Sequence, residues 1–277
     1  MKILQNLLLL IYSLVNKSGL FKRIWLKKIF YFAYFLYKQY FEDPFFGLTQ
    51  KYPELFRGGH ILDVGANIGY TATIFAKVIA PEFKIYAFEP DEKNFNSLQE
   101  IIKFNHQIEK IIAIQSAVGE REGLVNLWHN DNHHGDHKIV TPEYQKTGID
   151  LKKVSAVSIC SIDHFVESRL ENAAIKFMKI DVQGYELAVC RGMEKTLMAN
   201  PDAIIALEYM PSSLSELGFD SAELLQFFRD KNYYIYILSQ RGNLAKADRK
   251  LLDTLVKKRG YIDLLLSKKE LREKSSL

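Results

Sequence analysis

Ile61-Leu62-Asp63-Val64-Gly65-Ala66-Asn67-Ile68-Gly69-Tyr70 is the stretch from which the fold of this chain can be read. Ile61 to Val64 is short, apolar and strand-like. Gly65 and Gly69 bracket a turn in which the backbone takes dihedrals that other residues avoid, or passes close to a ligand. Ile74, Phe75, Val78 and Ile79 then recur at helical spacing. A strand, a glycine turn and a helix in this order belong at the carboxyl edge of an open α/β sheet, where that architecture binds ligands.

The turn departs from the dinucleotide pattern G-x-G-x-x-G. Asn67 stands where a glycine would let the backbone approach a pyrophosphate, and Asp63 precedes the turn. Such a turn suits a ligand without phosphate, either a ribose or an amino-acid moiety. Backbone N–H groups at the helix start could hold a carboxylate, and Asp63 could hold an ammonium. An ordinary tight turn would look the same in isolation. A nicotinamide-dependent oxidoreductase shares this sheet, but the missing glycine and Asp63 disfavour it.

The second strand, Lys84 to Phe88, ends in Glu89-Pro90-Asp91. Glu89 follows Gly69 by twenty residues. A carboxylate at that strand tip is placed to bind ribose hydroxyls, and its two oxygens match a vicinal diol.

Two further motifs follow in order: Ser116-Ala117-Val118-Gly119, and Lys179-Ile180-Asp181-Val182-Gln183-Gly184-Tyr185-Glu186-Leu187. With Asp63 to Gly69 and Phe88-Glu89-Pro90, they resemble the FkbM family of S-adenosylmethionine-dependent O-methyltransferases. The resemblance spans roughly Arg57 to Met210. It implies an α/β, Rossmann-like class I methyltransferase fold: a mostly parallel seven-stranded sheet whose last strand is antiparallel. It further implies that S-adenosylmethionine is held by Asp63, Gly65, Ala66, Asn67, Gly69, Tyr70, Glu89, Pro90, Ser116, Ala117 and Asp181. The acceptor implied is a hydroxyl of a sugar, glycan or other small natural product. The family usually carries glutamate where this chain has Gln183, which leaves room for a non-catalytic module that keeps the cofactor pocket.

Ile175 to Ile180 reads as a buried strand and Gln183 to Leu197 as a helix, so Asp181 belongs at the ligand edge of the sheet. Ala203 to Leu207 places Glu208 at the next tip. His129 to His137 holds four of the seven histidines within nine residues. Gly135 and the Asn/Asp content point to a loop, read here as one lying over the active site. An alcohol acceptor gains from a general base, and Asp181, His133, His134 and Glu208 are the candidates. Asp181 comes first because the fold fixes its position. His133 and His137 stand four apart, but no metal centre is expected.

A chain of 277 residues, 48% hydrophobic and 25% charged, fits one large globular domain with a small appendage. Cys160 and Cys190 make no disulfide framework. The net charge of +4 is mild, and no nucleic-acid partner is expected. Residues 1–46 differ in composition from the methyltransferase domain at 47–277. Met1 to Phe41 holds seven lysines and arginines and no acid. Its two apolar runs fall short of the roughly 18–20 residues a spanning helix needs. Cations interleaved with aromatic and aliphatic residues describe an interfacial helix. Residues 1–40 are therefore expected to be helical and to touch an anionic membrane, with packing on the core or a homodimer contact as alternatives. The setting expected is cytoplasmic, with peripheral contact at the inner membrane face. Ser239 to Arg259 is charged and loop-like, with at most a short helix.

Overall fold

The computed structural model describes residues 33, 35–39, 43–130, 135–272 and 274. The strands are β1 (His60–Val64), β2 (Ile85–Phe88), β3 (Ile111–Ile114), β4 (Ala117–Val118), β5 (Gly123–Trp128), β6 (Lys138–Ile139), β7 (Val154–Cys160), β8 (Ile175–Ile180), β9 (Ile204–Tyr209), β10 (Tyr234–Ser239), β11 (Asn243–Lys246) and β12 (Ile262–Ser267). The helices are α1 (Phe45–Lys51), α2 (Tyr70–Phe75), α3 (Glu92–Phe104), α4 (Pro142–Gln145), α5 (Ile162–Leu170), α6 (Glu186–Arg191), α7 (Glu194–Ala199), α8 (Pro211–Glu216), α9 (Ser221–Asp230) and α10 (Arg249–Arg259).

The large sheet runs β11-β10-β12-β9-β8-β1-β2-β3. β1, β2, β3, β8 and β9 pair in parallel. β12 lies antiparallel between β9 and β10. Without β11, these strands make the seven-stranded class I methyltransferase sheet with its reversed last strand. The central strands are buried on both faces, as parallel strands under helices must be. Phe56, Phe75 and Phe177 fill one face, with Phe56 stacked on Phe177 at 4.5 Å between ring centroids. Leu62, Val64, Met178, Ile180, Leu207 and Leu264 fill the other. β4-β7-β5-β6 form a separate four-stranded sheet. It carries the chain from β3 to β8 and walls one side of the ligand edge.

Three features differ from the sequence expectation. The large sheet has an eighth strand, because residues 243–246 fold back antiparallel on β10 as β11. Ser239 to Arg259 is therefore a hairpin arm followed by the eleven-residue helix α10, rather than a charged loop. Asp248 caps that helix through the Leu251 N–H at 2.7 Å. The helical pattern over Gln183 to Leu197 is broken into α6 and α7 at Gly192-Met193. A Cβ at Gly192 would lie 2.0 Å from the Gly119 carbonyl oxygen, so the break packs backbone on backbone.

Candidate active site

Gly65 ends β1 with φ +77°, and Asn67 and Gly69 also take positive φ. A Cβ on Gly65 would lie 1.8 Å from the Asp181 carbonyl oxygen. Only glycine lets the β1 turn and the β8 tip approach this closely. The Asp181 N–H closes the junction by donating to the Val64 carbonyl at 3.0 Å.

Glu89 is buried at the tip of β2. Its Oε2 accepts the Asn67 N–H at 2.9 Å and its Oε1 the Asp91 N–H at 3.0 Å. One carboxylate thus ties the glycine turn to the second strand. The Asn94 side chain adds a third hydrogen bond, which leaves the carboxylate one lone pair for a ligand hydroxyl. Burial, reinforced by the neighbouring Asp91 charge, raises the Glu89 pKa to about 7.

Lys179 is a buried cation inside the central strand β8. Its Nζ donates to the Gly65 carbonyl at 3.0 Å and lies 3.2 Å from Asp181 Oδ2 and 3.7 Å from Asp63 Oδ1. Burial alone would lower the ammonium pKa, but Asp181 and Asp63 together hold it above the ordinary value. Burial works against ionisation of Asp181, yet Lys179 and the Gln183 amide keep its carboxyl below the usual range. Asp63 sits under the turn, fully buried, with Thr71 Oγ1 donating to its Oδ2 at 2.7 Å. Its expected role as an ammonium ligand gives way to these internal partners.

Gln183 Nε2 donates to Asp181 Oδ1 at 2.9 Å and to Glu208 Oε2 at 3.3 Å. A glutamate here would set three carboxylates against one another, so the amide acts as a neutral bridge. Burial, then the charges of Asp181 and Asp263, push Glu208 well above the carboxylate range. Asp263 faces Glu208 across the β9–β12 pair. Burial and the charges of Asp43 and Asp181 bring the Asp263 pKa to about 7. Burial raises that of Asp43 to about 6, against the pull of Lys38 and the Phe45 and Phe46 N–H groups it caps.

These groups line one open cavity of about 200 Å³ at the carboxyl edge of the large sheet. Of the expected residues, Gly65, Ala66, Asn67, Tyr70, Glu89, Pro90, Ser116, Ala117, Asp181 and Glu208 line it. Asp63 and Gly69 support the turn from behind. His133 and His134 lie outside the described residues. Lys38, Asp43, Lys179, Tyr261 and Asp263 also line the cavity and were not among the site residues expected from sequence. Lys179 had a signal, a cation one residue from the tip of a mostly apolar strand. Asp43 and Asp263 had none, because their elements reach the site only through the tertiary fold. Lys38 brings the basic N-terminal segment to the cavity wall, and Phe35 packs edge-on against Tyr70 at 5.1 Å.

The histidine-rich loop also meets the site. A Cβ at Gly135 would lie 3.3 Å from Asn67 Nδ2, so the loop stem rests over the glycine turn. His129 Nδ1 is 2.8 Å from Asp91 Oδ2, and its Nε2 is 2.7 Å from Ser155 Oγ. His137 Nε2 lies 3.7 Å from the same Asp91 oxygen. The ligating atoms of Asp91, His129 and His137 fall within 4.8 Å of one another, a donor set that suits zinc, iron or manganese. One contact opposes a metal. The Asn130 N–H donates to His137 Nδ1 at 3.0 Å, so the neutral ring carries its proton on Nε2, the atom a metal would need. The cluster instead acts as a latch, pinning both stems of the loop to the buried N-cap residue of α3.

A family model for the methyltransferase FkbM domain matches residues 63–235. The chain belongs to the FkbM methyltransferase family. It is 24% identical over 221 residues to methyltransferase sdnD of Sordaria araneosa, covering 68% of this chain and 82% of that protein. It is 26% identical over 179 residues to the hexuronic acid methyltransferase AglP of Haloferax volcanii, covering 62% of this chain and 68% of that one. The crystal structure of an FkbM methyltransferase from Methylobacillus flagellatus is similar at 17% identity and a TM-score of 0.49, covering 81% of this chain and 48% of that one. The protein is a methyltransferase, and the cavity at its ligand edge is the candidate active site.

Proposed function

We propose that this FkbM methyltransferase uses S-adenosylmethionine to methylate a hydroxyl of a sugar, a glycan or another small natural product. The observation that carries the reading is Asp181. It is an ionised carboxylate, fixed by Lys179 and Gln183, that opens into the same cavity as the glycine turn and Glu89.

The residues present fit the cofactor. The turn from Gly65 to Ile68 lines the cavity, so its backbone is open to a ligand. Glu89 offers its remaining lone pair to a ribose hydroxyl, and Ser116 and Ala117 border the cavity beyond it. When bound, S-adenosylmethionine supplies a methyl group activated on a sulfonium. The protein aligns the acceptor oxygen for direct displacement. Asp181 accepts the hydroxyl proton at Oδ2. Gln183 holds Asp181 and Glu208 in fixed relation, so the acceptor meets one anionic oxygen acceptor and one protonated acid.

Calorimetric titration with S-adenosylmethionine, S-adenosylhomocysteine and NAD tests the donor. The expected outcome is binding of the first two and none of NAD. Binding of NAD alone would overturn the reading. Transfer of a labelled methyl group to a panel of glycosides then tests the acceptor class.

A pH dependence follows from Glu89. A ribose hydroxyl donates to its ionised form, so below about pH 7 a proton must leave before it binds. The affinity for S-adenosylhomocysteine is expected to weaken by up to about tenfold per pH unit below that point and to level off above it. Glu89→Gln is expected to bind weakly with a flat profile. A flat profile in the unaltered protein would show that Glu89 does not meet the diol.

A further inference from the structure

Beside the cavity, the ligand edge of the large sheet carries four exposed cations. Because β12 runs antiparallel to β9, its first residues, Tyr261 to Asp263, lie at the ligand edge beside Glu208 and Tyr209. α10 leads into β12, so its last turn ends at that edge as well. This turn is Lys257-Lys258-Arg259, and all three side chains are exposed. Arg241, also exposed, sits in the turn between β10 and β11, where its backbone packs against Gly47 at the start of the chain's path around the site. Among the described residues, none of these four makes an ion pair. One or two cations would suffice to balance the negative end of the α10 dipole.

Two further observations give this rim a direction. Tyr261, 42% exposed, lines the cavity directly after the basic turn. Leu36, 38% exposed, flanks Phe35 and Lys38 where the N-terminal segment joins the same mouth. The sequence from Met1 to Phe41 holds seven cations and no acid, and Lys38, the one among the described residues, lines the cavity. No helix among the described residues is long and apolar enough to cross a membrane. Cations spread around apolar and aromatic tips are complementary to an anionic lipid surface.

We infer that the last turn of α10 and Arg241, together with Leu36 and Lys38, seat the mouth of the active site on an anionic membrane surface. The cavity then opens towards the bilayer, and the acceptor is drawn from molecules held at that surface. This rests on the acceptor site proposed above, but its test does not.

The test is flotation of the full chain with vesicles of equimolar phosphatidylglycerol and phosphatidylcholine, against vesicles of phosphatidylcholine alone. The rim variant is Lys257→Gln, Lys258→Gln, Arg259→Gln. The control is Lys77→Gln, Lys103→Gln, Arg169→Gln, which removes the same charge from exposed positions at the opposite edge of the sheet. The unaltered chain is expected to float only with anionic vesicles. The rim variant is expected to partition at least ~10-fold more weakly, and the control as the unaltered chain does. S-Adenosylhomocysteine binding is expected to be unchanged in both, which establishes that they fold. Equal losses in the two variants would reduce the effect to net charge and overturn the inference. So would a rim variant that floats normally, which would leave the rim to a soluble phosphorylated acceptor. Flotation without any S-adenosylhomocysteine binding would keep the surface and remove the methyltransferase reading.

Discussion

Lys179→Met destabilises the protein by about 3–5 kcal/mol at neutral pH. The side chain is similar in length and apolar, so β8 keeps its packing volume. What is lost is the cation that lies 3.7 Å from the fully buried Asp63 and 3.2 Å from the partly exposed Asp181. Asp63 cannot turn to water without opening the glycine turn, whose Gly65 carbonyl also loses its donor. The penalty has a defined pH dependence. Without Lys179 the two carboxyls have folded-state pKa values above their unfolded ones. Their neutral forms are then favoured on folding, and stability falls as pH rises through those values. The gap between variant and unaltered protein is therefore widest at neutral and alkaline pH and narrows towards pH 4. Urea unfolding of both proteins across that range measures it. A loss below about 1 kcal/mol at pH 8 would mean that Lys179 is not what keeps these carboxylates in the core.

Asp181→Asn is expected to lower kcat by about 10²–10⁴-fold while changing S-adenosylhomocysteine affinity only a few-fold. Asparagine keeps the size of the side chain and can still accept from Gln183, but it cannot take a proton. Its backbone carbonyl, against which Gly65 packs, is untouched. Lys179 retains Asp63 and the Gly65 carbonyl as partners. The split between turnover and binding separates proton acceptance from a positioning role. If affinity falls in step with turnover, Asp181 acts by holding the cofactor turn. Because Lys179 and Gln183 keep Asp181 ionised well into acid, its own titration should not limit activity near neutrality. A fall in kcat on the acid side near pH 6–7 is then assigned to Asp43 or Asp263, whose pKa values lie at about 6 and about 7.

Gln183 shows how a departure from a family pattern can be misread in one dimension. In the sequence it looks like the loss of an acid. In the structure it is an amide donating to two carboxylates that would otherwise repel, and the site around it is complete. Asp63 shows the converse. Its place before the glycine turn suggests a ligand contact, but its oxygens are taken up by Thr71 and Lys179.

The sequence alone determined the parallel core of the sheet, the ligand edge and many of the residues that line the cavity. Alternating and continuous apolar runs, glycines at positions of positive φ, and strand-tip carboxylates are local properties, and each is written in a few adjacent residues. It could not determine the eighth strand, because β11 holds only one buried apolar residue, Leu244, and gains its pairing from β10. Nor could it show that Asp43 and Asp263 share a wall, that Asp91 latches the histidine loop, or that the basic end of α10 lies at the ligand edge. Those residues are far apart in the chain. What a charged side chain does depends on which charges lie within a few ångströms, and only the tertiary structure sets that distance.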